Sequence, residues 1–268
     1  MISGLGVVPV DVITSESPYG GVKVDDVRER ERVIQWPIRI RGTTHTEFVE
    51  TWRFLSYKIT QTRFLGPGKL VIRRPDGSRR EIQAYHSSGL EGEPEEGMWL
   101  RATETITFLC PDGYWRDPTP VVLEFREEPM PNYLDPYPTL ASGRQLGSVT
   151  VTNPGDRPVW PQWRIRGPLT SLTARNETRG EEFQFVAPLA KGEEATISGL
   201  PIQVRGPNGE NWINALGLLS GRGKPWRLDP RTTSTIQFTA TGAQADSEPG
   251  ADDGTRLWLS WHVDYLSP

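Results

Sequence analysis

The sequence has very little of the residues that form cross-links and metal centres. Cys110 is the single cysteine among 268 residues, so an intrachain disulfide is impossible and a cysteine-rich metal site cannot form. The three histidines, at positions 45, 86 and 262, lie far apart and lack the spacing of zinc ligands. Phosphate-loop, metalloprotease and serine-nucleophile motifs are also missing. We therefore expect no enzyme activity, no cofactor and no bound metal.

Long hydrophobic runs are absent as well. No stretch approaches the ~18 consecutive apolar residues that a membrane-spanning helix requires. The apolar run near Met1 is not preceded by a basic residue, as it would be in a secretory signal peptide. The sequence thus predicts a soluble protein that is made in a cytoplasm and does not insert into a membrane.

An excess of positive charge is the third absence. The chain has 30 basic and 34 acidic residues, which gives a net charge of −4. Residues 1–125 hold 16 basic and 18 acidic side chains, so the balance is local as well as global. Proteins that read nucleic-acid sequence usually present a basic face. The charge pattern therefore predicts no sequence-specific nucleic-acid binding.

Turn-forming residues and large aromatics are abundant. The chain contains 27 glycines, 24 prolines and 10 tryptophans, a mixture typical of many turns and large core anchors. Short alternating runs separated by Gly, Pro and Asn predict a mainly β fold. Prolines crowd residues 126–147, which we interpret as a linker between an N-terminal domain, 1–125, and a C-terminal β-sandwich domain, 148–268. We expect two β-sandwich-like domains, the second resembling a jelly roll.

The first domain contains the one clear helix signal and the clearest hairpin signal. A hydroxyl residue at Thr44 and a carboxylate at Glu47 predict a capped helix start. Phe48, Trp52, Leu55 and Ile59 then share one helical face, which we expect to pack on the first sheet. The turn residues at 74–78, with sequence RPDGS, predict a β-hairpin between strands at 70–73 and 81–85.

The order of these elements resembles a known family. The helix, the PDGS hairpin, the stretch Ser87–Gly92 (SSGLEG), a long strand and the closing PDGYW at 111–115 are together similar to the siphovirus distal tail proteins. The resemblance covers the whole chain, and it implies that the second domain is galectin-like. It implies a structural virion protein of the phage tail tip, assembled in the bacterial host cytoplasm.

The same resemblance implies how the protein assembles. Six copies would form a ring through the N-terminal domain, and the C-terminal domain would project outward. The ring would be a hub that connects the tail tube to the receptor-binding apparatus. Its expected partners are other copies of itself, the tail tube protein, the tape measure protein and the tail-associated or receptor-binding proteins.

Two charged segments are candidate subunit interfaces. One is the mixed-charge run Arg28, Glu29, Arg30, Glu31 and Arg32; the other is the set of four arginines around the hairpin turn, Arg73, Arg74, Arg79 and Arg80. Both also have an ordinary interpretation, as a solvated strand end and a solubilised hairpin tip. The acidic loop at 91–96 is a further candidate partner for the arginines.

Two tryptophans of the second domain support a different hypothesis. Trp212 and Trp226 are predicted to lie in loops, where exposed rings can stack on sugars. The alternative function is therefore a carbohydrate-binding module or adhesin that acts through the C-terminal sandwich. Burial in a core or an interface is the ordinary explanation for such rings. A glycosidase would need a pair of carboxylates in a cleft, and the sequence identifies none.

Overall fold

The computed structural model of the protein describes residues 1–91, 100–126, 144–217, 225–246 and 254–268. The chain forms two compact units, Met1–Pro118 together with Asp264–Pro268, and Thr119–Val263. The sequence-based boundary lies at residue 125, whereas the second unit begins at Thr119. Most of the proposed linker and most of the acidic loop at 91–96 fall outside the described residues.

The described residues of the first unit contain two strands that pair only with each other, a multi-stranded sheet system and one α-helix. In chain order its elements are β1 (Val10–Glu16), β2 (Val22–Glu29), β3 (Arg32–Arg41), α1 (His45–Thr60), a 3-10 turn (Gln61–Arg63), β4 (Gly68–Arg73), β5 (Arg79–Ser88), β6 (Arg101–Cys110) and β7 (Trp115–Arg116). A final strand at Asp264–Tyr265, numbered β18 below, pairs with β7. β5 pairs with β4, β6 and β7, and β6 pairs with β3, so β5 is the centre of the sheet system.

Helix α1 forms where the capping signal predicts it. The hydroxyl of Thr44 accepts a hydrogen bond from the backbone N–H of Glu47, and the Glu47 carboxylate accepts one from the backbone N–H of Thr43. Phe48 and Trp52 are buried in a cluster with Ile40 of β3. Leu55 and Ile59 pack against the adjoining core cluster of the sheets. The predicted helix and its packing face are confirmed, as is the hairpin of β4 and β5 around Arg74–Ser78.

The second unit contains the remaining strands of the described chain. They are β8 (Val121–Arg126), β9 (Arg144–Asn153), β10 (Gln162–Arg166), β11 (Leu169–Asn176), β12 (Glu181–Leu189), β13 (Glu194–Gly199), β14 (Ile202–Arg205), β15 (Leu216–Gly217), β16 (Thr232–Thr241) and β17 (Arg256–Trp261), followed in the chain by β18 (Asp264–Tyr265) of the first unit. They form two five-stranded antiparallel sheets, β14-β13-β10-β17-β8 and β15-β12-β11-β16-β9.

An aromatic cluster joins the two sheets of the second unit. Trp163 on β10 contacts Phe183 on β12 and Phe238 on β16, with ring centroids 5.0 and 5.9 Å apart. Because β10 belongs to one sheet and β12 and β16 to the other, the two sheets pack face to face as a sandwich. Inward-facing residues alternate with outward-facing ones along β11 and β16. The predicted mainly β fold is confirmed.

Candidate assembly surface

The hairpin of β1 and β2 has two chemically different faces. Residues directly opposite in an antiparallel pair point to the same side of the sheet. The register pairs Val12 with Val27 and Thr14 with Val24, which places the valines of both strands on one face. We call this the valine face; it consists of Val10, Val12, Val22, Val24 and Val27. The opposite face carries mostly polar and charged side chains, among them Asp11, Lys23 and Arg28.

The valine face is uncovered. All five valines are between 51% and 66% exposed, although valine is a residue that cores normally bury. A two-stranded hairpin is marginally stable in water, and burying a valine fully stabilises by roughly 1.5 kcal/mol or more. Covering this face would therefore stabilise the hairpin by several kcal/mol. Exposed apolar surface of this kind marks an interaction site.

The base of the hairpin is held rigidly by Arg32. Arg32 is 1% exposed, and its guanidinium donates hydrogen bonds to four backbone carbonyl oxygens of the same unit. The acceptors are Gly113 at 2.8 Å, Gly4 at 2.8 Å, Gly6 at 2.6 Å and Leu266 at 2.9 Å. Burial lowers the pKa of Arg32 from its ordinary value.

A second contact fixes the segment that leads into β1. Val8 is buried, and a Cβ at Gly113 would lie 2.6 Å from a Val8 methyl carbon, so only glycine fits there. The phenolic hydroxyl of Tyr114 donates a 2.5 Å hydrogen bond to the Glu29 carboxylate at the end of β2. The hairpin therefore extends from an anchored base.

The mixed-charge run joins two strands. β2 ends at Glu29 and β3 begins at Arg32, so the five residues span the connection between two different sheets. Arg28 pairs with Asp26 at 2.7 Å, and Arg30 contacts Asp11 at 3.4 Å and Glu31 at 3.5 Å. The prediction that Arg32 contacts a neighbouring subunit is wrong, because Arg32 is buried and its guanidinium is bound to its own chain.

Of the four arginines of the β4–β5 hairpin, one is buried and three are exposed. Arg80 is 7% exposed, and its guanidinium carbon lies 3.1 Å from the centre of the Tyr265 ring, so its place is inside the unit and its prediction as an interface residue is wrong. Burial is the main cause of its lowered pKa. Arg73, Arg74 and Arg79 are exposed, and they make no ion pair within the described ranges of the chain. They remain a predicted contact surface.

A second uncovered apolar surface lies at the C-terminal end of α1. Phe54, Tyr57, Phe64 and Leu65 are between 61% and 85% exposed. The Lys58 ammonium lies 5.6 Å from the Phe54 ring centre and 5.9 Å from that of Tyr57. Residues 53–79 carry seven basic side chains and one acidic side chain. We call the surface formed by Arg53, Phe54, Tyr57, Lys58, Arg63, Phe64 and Leu65 the basic aromatic surface.

The sequence motifs alone do not identify either apolar surface, although each surface leaves a signal in the sequence. Val10, Val12, Val22 and Val24 alternate on both sides of a turn-rich segment, where Gly20 and Gly21 have positive φ. Phe54 and Tyr57 lie off the buried stripe of α1, which is the pattern of a helix with a second apolar face. Neither pattern shows by itself that the chain leaves the face uncovered.

The two candidate glycan-stacking tryptophans have different environments. Trp226 is 3% exposed; its ring centre lies 4.9 Å from that of Trp163, and its Nε1–H donates to the carbonyl of Ala174. The prediction that Trp226 faces a sugar is wrong, since the ring belongs to the core. Trp212 is half-buried near the backbone of Gly206. Its role in sugar binding stays a prediction.

The described residues show no centre for other chemistry. Within them, no three His, Cys, Asp or Glu side chains are grouped so as to hold a metal ion. A cavity of about 280 Å³ near the end of α1 is lined in part by Ser56 and His86, and His86 Nε2 lies 2.9 Å from the carbonyl oxygen of Gly89. No helix in the described part of the chain is long and apolar enough to cross a membrane.

Comparison with solved structures relates this fold to that of a phage Dit protein. No protein-family model and no curated protein sequence matches the chain. The chain is similar in structure to the SPP1 Dit protein, described as a paradigm of hub adsorption apparatus in phages that infect Gram-positive bacteria. The TM-score is 0.64 with 13% sequence identity, over 98% of this chain and 92% of that one. The alignment therefore spans both units.

Two structures of the phage P2 baseplate in its activated conformation, with Ca and with Sr, also align. Each has a TM-score of 0.42 over 90% of this chain and 88% of the other, with 10% and 11% identity. The chain thus has the two-unit β fold of a phage Dit protein. The family resemblance predicted from the sequence is confirmed for the fold.

Proposed function

We propose that the protein is a structural hub of a phage tail tip, built from six copies that form a closed ring. The observation that carries the proposal is the valine face, an apolar surface on an anchored hairpin that the described residues of its own chain leave uncovered. The shared fold with the SPP1 Dit protein, itself described as a hub, supports the same role.

The physical argument for assembly rests on the hairpin's shape. Contact of the valine face with the same face of a second copy would close a two-fold dimer and leave no face free to continue a ring, so the proposed ring requires a different partner surface. A contact between two different surfaces of identical copies is head-to-tail, and such contacts produce a ring when the rotation closes. The first unit contributes the hairpin, and therefore the ring is formed by the first unit.

The remaining parts of the proposed role follow from the ring. The hub would connect the tail tube protein to the tape measure and receptor-binding proteins, and it would act in the virion after assembly in the host cytoplasm. A channel that passes DNA must release it, so a chain with a net charge of −4 suits the role. The role is structural and requires no catalysis.

The test compares the mass of the full chain with that of two matched variants. Val12→Ser with Val24→Ser removes apolar surface from the valine face. The control, Ile13→Ser with Lys23→Ser, changes neighbouring exposed residues on the opposite face. Mass photometry and negative-stain imaging measure assembly at matched concentrations, and circular dichroism checks folding.

The expected mass of the wild-type chain is about six times 30.1 kDa, with a central hole in the particles. The valine variant should dissociate while remaining folded, and the control should assemble like the wild type. A wild-type chain that stays monomeric at tens of micromolar would contradict the proposal. Equal dissociation of both variants would assign the contact to another surface.

A further inference from the structure

We infer that the valine face of one copy lies on the basic aromatic surface of the next copy. The inference rests on the proposed self-assembly and specifies which two surfaces meet. Both surfaces belong to the first unit, and neither is covered by the described residues of its own chain. In an assembly of identical copies the two surfaces occur in equal numbers, so each copy offers one surface and receives the other.

The two surfaces complement each other in apolar character. The valine face presents branched aliphatic side chains on a flat hairpin. The basic aromatic surface presents two rings of α1 together with Phe64 and Leu65, which follow the helix. Aromatic and β-branched side chains pair favourably across packed surfaces. Contact would remove from water the most exposed large apolar residues that flank the helix end.

The two surfaces also have opposite charge. On the valine face the charged side chains are acidic, Glu16 and Glu29; Asp25, at the irregular step between Asp26 and Val24, pairs with Lys23 at 3.7 Å. Residues 10–29 hold five acidic and two basic side chains. The basic aromatic surface carries three basic side chains, Arg53, Lys58 and Arg63, and no acidic one. Complementary charge of this kind fixes orientation and speeds encounter.

The charge pattern selects another copy over other occupants. Lys58 and Arg63 are exposed beside the apolar residues, and no ion pair within the described ranges engages either of them. A nucleic acid or an anionic membrane would match the basic charge. It would leave the acidic valine face uncovered, whereas a second copy covers both surfaces in one contact. We therefore assign the surface to the neighbouring subunit.

A charge-exchange experiment on the full chain tests the assignment. One variant carries Glu16→Lys and Asp25→Lys, a second carries Lys58→Glu and Arg63→Glu, and a third carries all four changes. The control, Arg175→Glu with Glu177→Lys, reverses an exposed ion pair of the second unit, outside both surfaces. Each two-residue variant should weaken assembly at least about tenfold in dissociation constant. The four-residue variant should recover to within about threefold of wild type, because the opposite signs face each other again.

A cross-linking experiment tests proximity directly. The chain's single native cysteine, Cys110, is fully buried, so introduced cysteines are the reactive ones. Chains with Val24→Cys are mixed with chains carrying Phe64→Cys and treated with a short bismaleimide. A cross-linked dimer should form in the mixture and in neither population alone. Thr103→Cys, an exposed position on β6, replaces Phe64→Cys as the control and should give no dimer.

The outcomes separate the inference from the proposed ring. If the wild type assembles but the charge exchange has no effect and no mixed dimer forms, the inference is wrong and the ring stands. A wild-type chain that never assembles refutes both. If Lys58→Glu with Arg63→Glu abolishes binding to single-stranded DNA or phosphatidylglycerol vesicles and leaves the mass unchanged, the surface faces a polyanion and the inference is overturned.

Discussion

Arg32 is the residue whose removal should damage the first unit most specifically. Arg32→Ala deletes four hydrogen bonds of 2.6 to 2.9 Å and leaves their carbonyl acceptors around a cavity. A hydrogen bond from a charged group contributes ~1.5–3 kcal/mol, and burying the guanidinium costs several kcal/mol in return. We expect the free energy of unfolding to fall by about 3–5 kcal/mol.

Calorimetry of the full chain measures this change. For a unit of this size, each kcal/mol lowers the melting temperature by roughly 3–5 °C, so the first-unit transition should shift by ~9–25 °C. Hydrogen exchange adds a local readout, since the backbone at Gly4, Gly6 and Leu266 loses its common anchor. Exchange should accelerate there before it does in the sandwich of the second unit.

Two companion variants make the result specific. Arg32→Lys keeps the charge but cannot reach four acceptors in four directions, so its cost should be intermediate. Arg30→Ala removes an exposed arginine two positions away and should change stability by less than about 0.5 kcal/mol. A loss below about 1 kcal/mol for Arg32→Ala would refute the reasoning, as would equal effects of Arg30→Ala and Arg32→Ala.

Three further predictions concern buried side chains. Trp52→Ala should lower the free energy of unfolding by about 3–5 kcal/mol in a denaturant titration, because the ring is buried beside Phe48 on the packed face of α1; an unchanged midpoint would contradict the packing. Trp226→Ala should destabilise the second unit by a similar ~3–5 kcal/mol, and a change in glycan binding with full stability retained would restore the sugar hypothesis. Burial raises the pKa of Cys110 to about 11, above the ordinary value, so the thiol stays protonated below that pH. It should resist a disulfide reagent at pH 8 in the folded chain and react at once in denaturant; rapid labelling of the native chain would show that Cys110 is accessible.

Local signals predicted α1 and the β4–β5 hairpin correctly. A helix start is determined by neighbouring side chains, Thr44 and Glu47, and its packing face by a repeat of three to four residues. The RPDGS turn is similarly local, because proline, aspartate and glycine each restrict or permit particular backbone angles. Features that depend only on residues a few positions apart can be predicted from the sequence.

The burial of Arg32 and Arg80 could not be predicted in this way. Arg32 donates to the carbonyl groups of Gly4, Gly113 and Leu266, which lie 28, 81 and 234 residues away in the sequence. Its fourth acceptor is Gly6. A charge pattern does not indicate where remote carbonyl groups converge. Trp226 was misassigned for a similar reason: its surroundings in sequence are loop-like, while its neighbours in space, Trp163 and Phe183, are core residues.

Because β18 pairs with β7, the first unit is completed by residues that are synthesised after the second unit. Arg116 forms two hydrogen bonds, of 2.8 and 3.1 Å, to the Asp264 carboxylate, and Leu266 accepts one from Arg32. A ribosome makes residues 1–118 first, yet these partners emerge only after residue 263. The nascent first unit must therefore wait, with its sheet incomplete, until the whole second unit has been translated. A chain interrupted before that point lacks the residues that complete the anchor at the base of the hairpin, so a truncated chain would carry a hairpin without its full support.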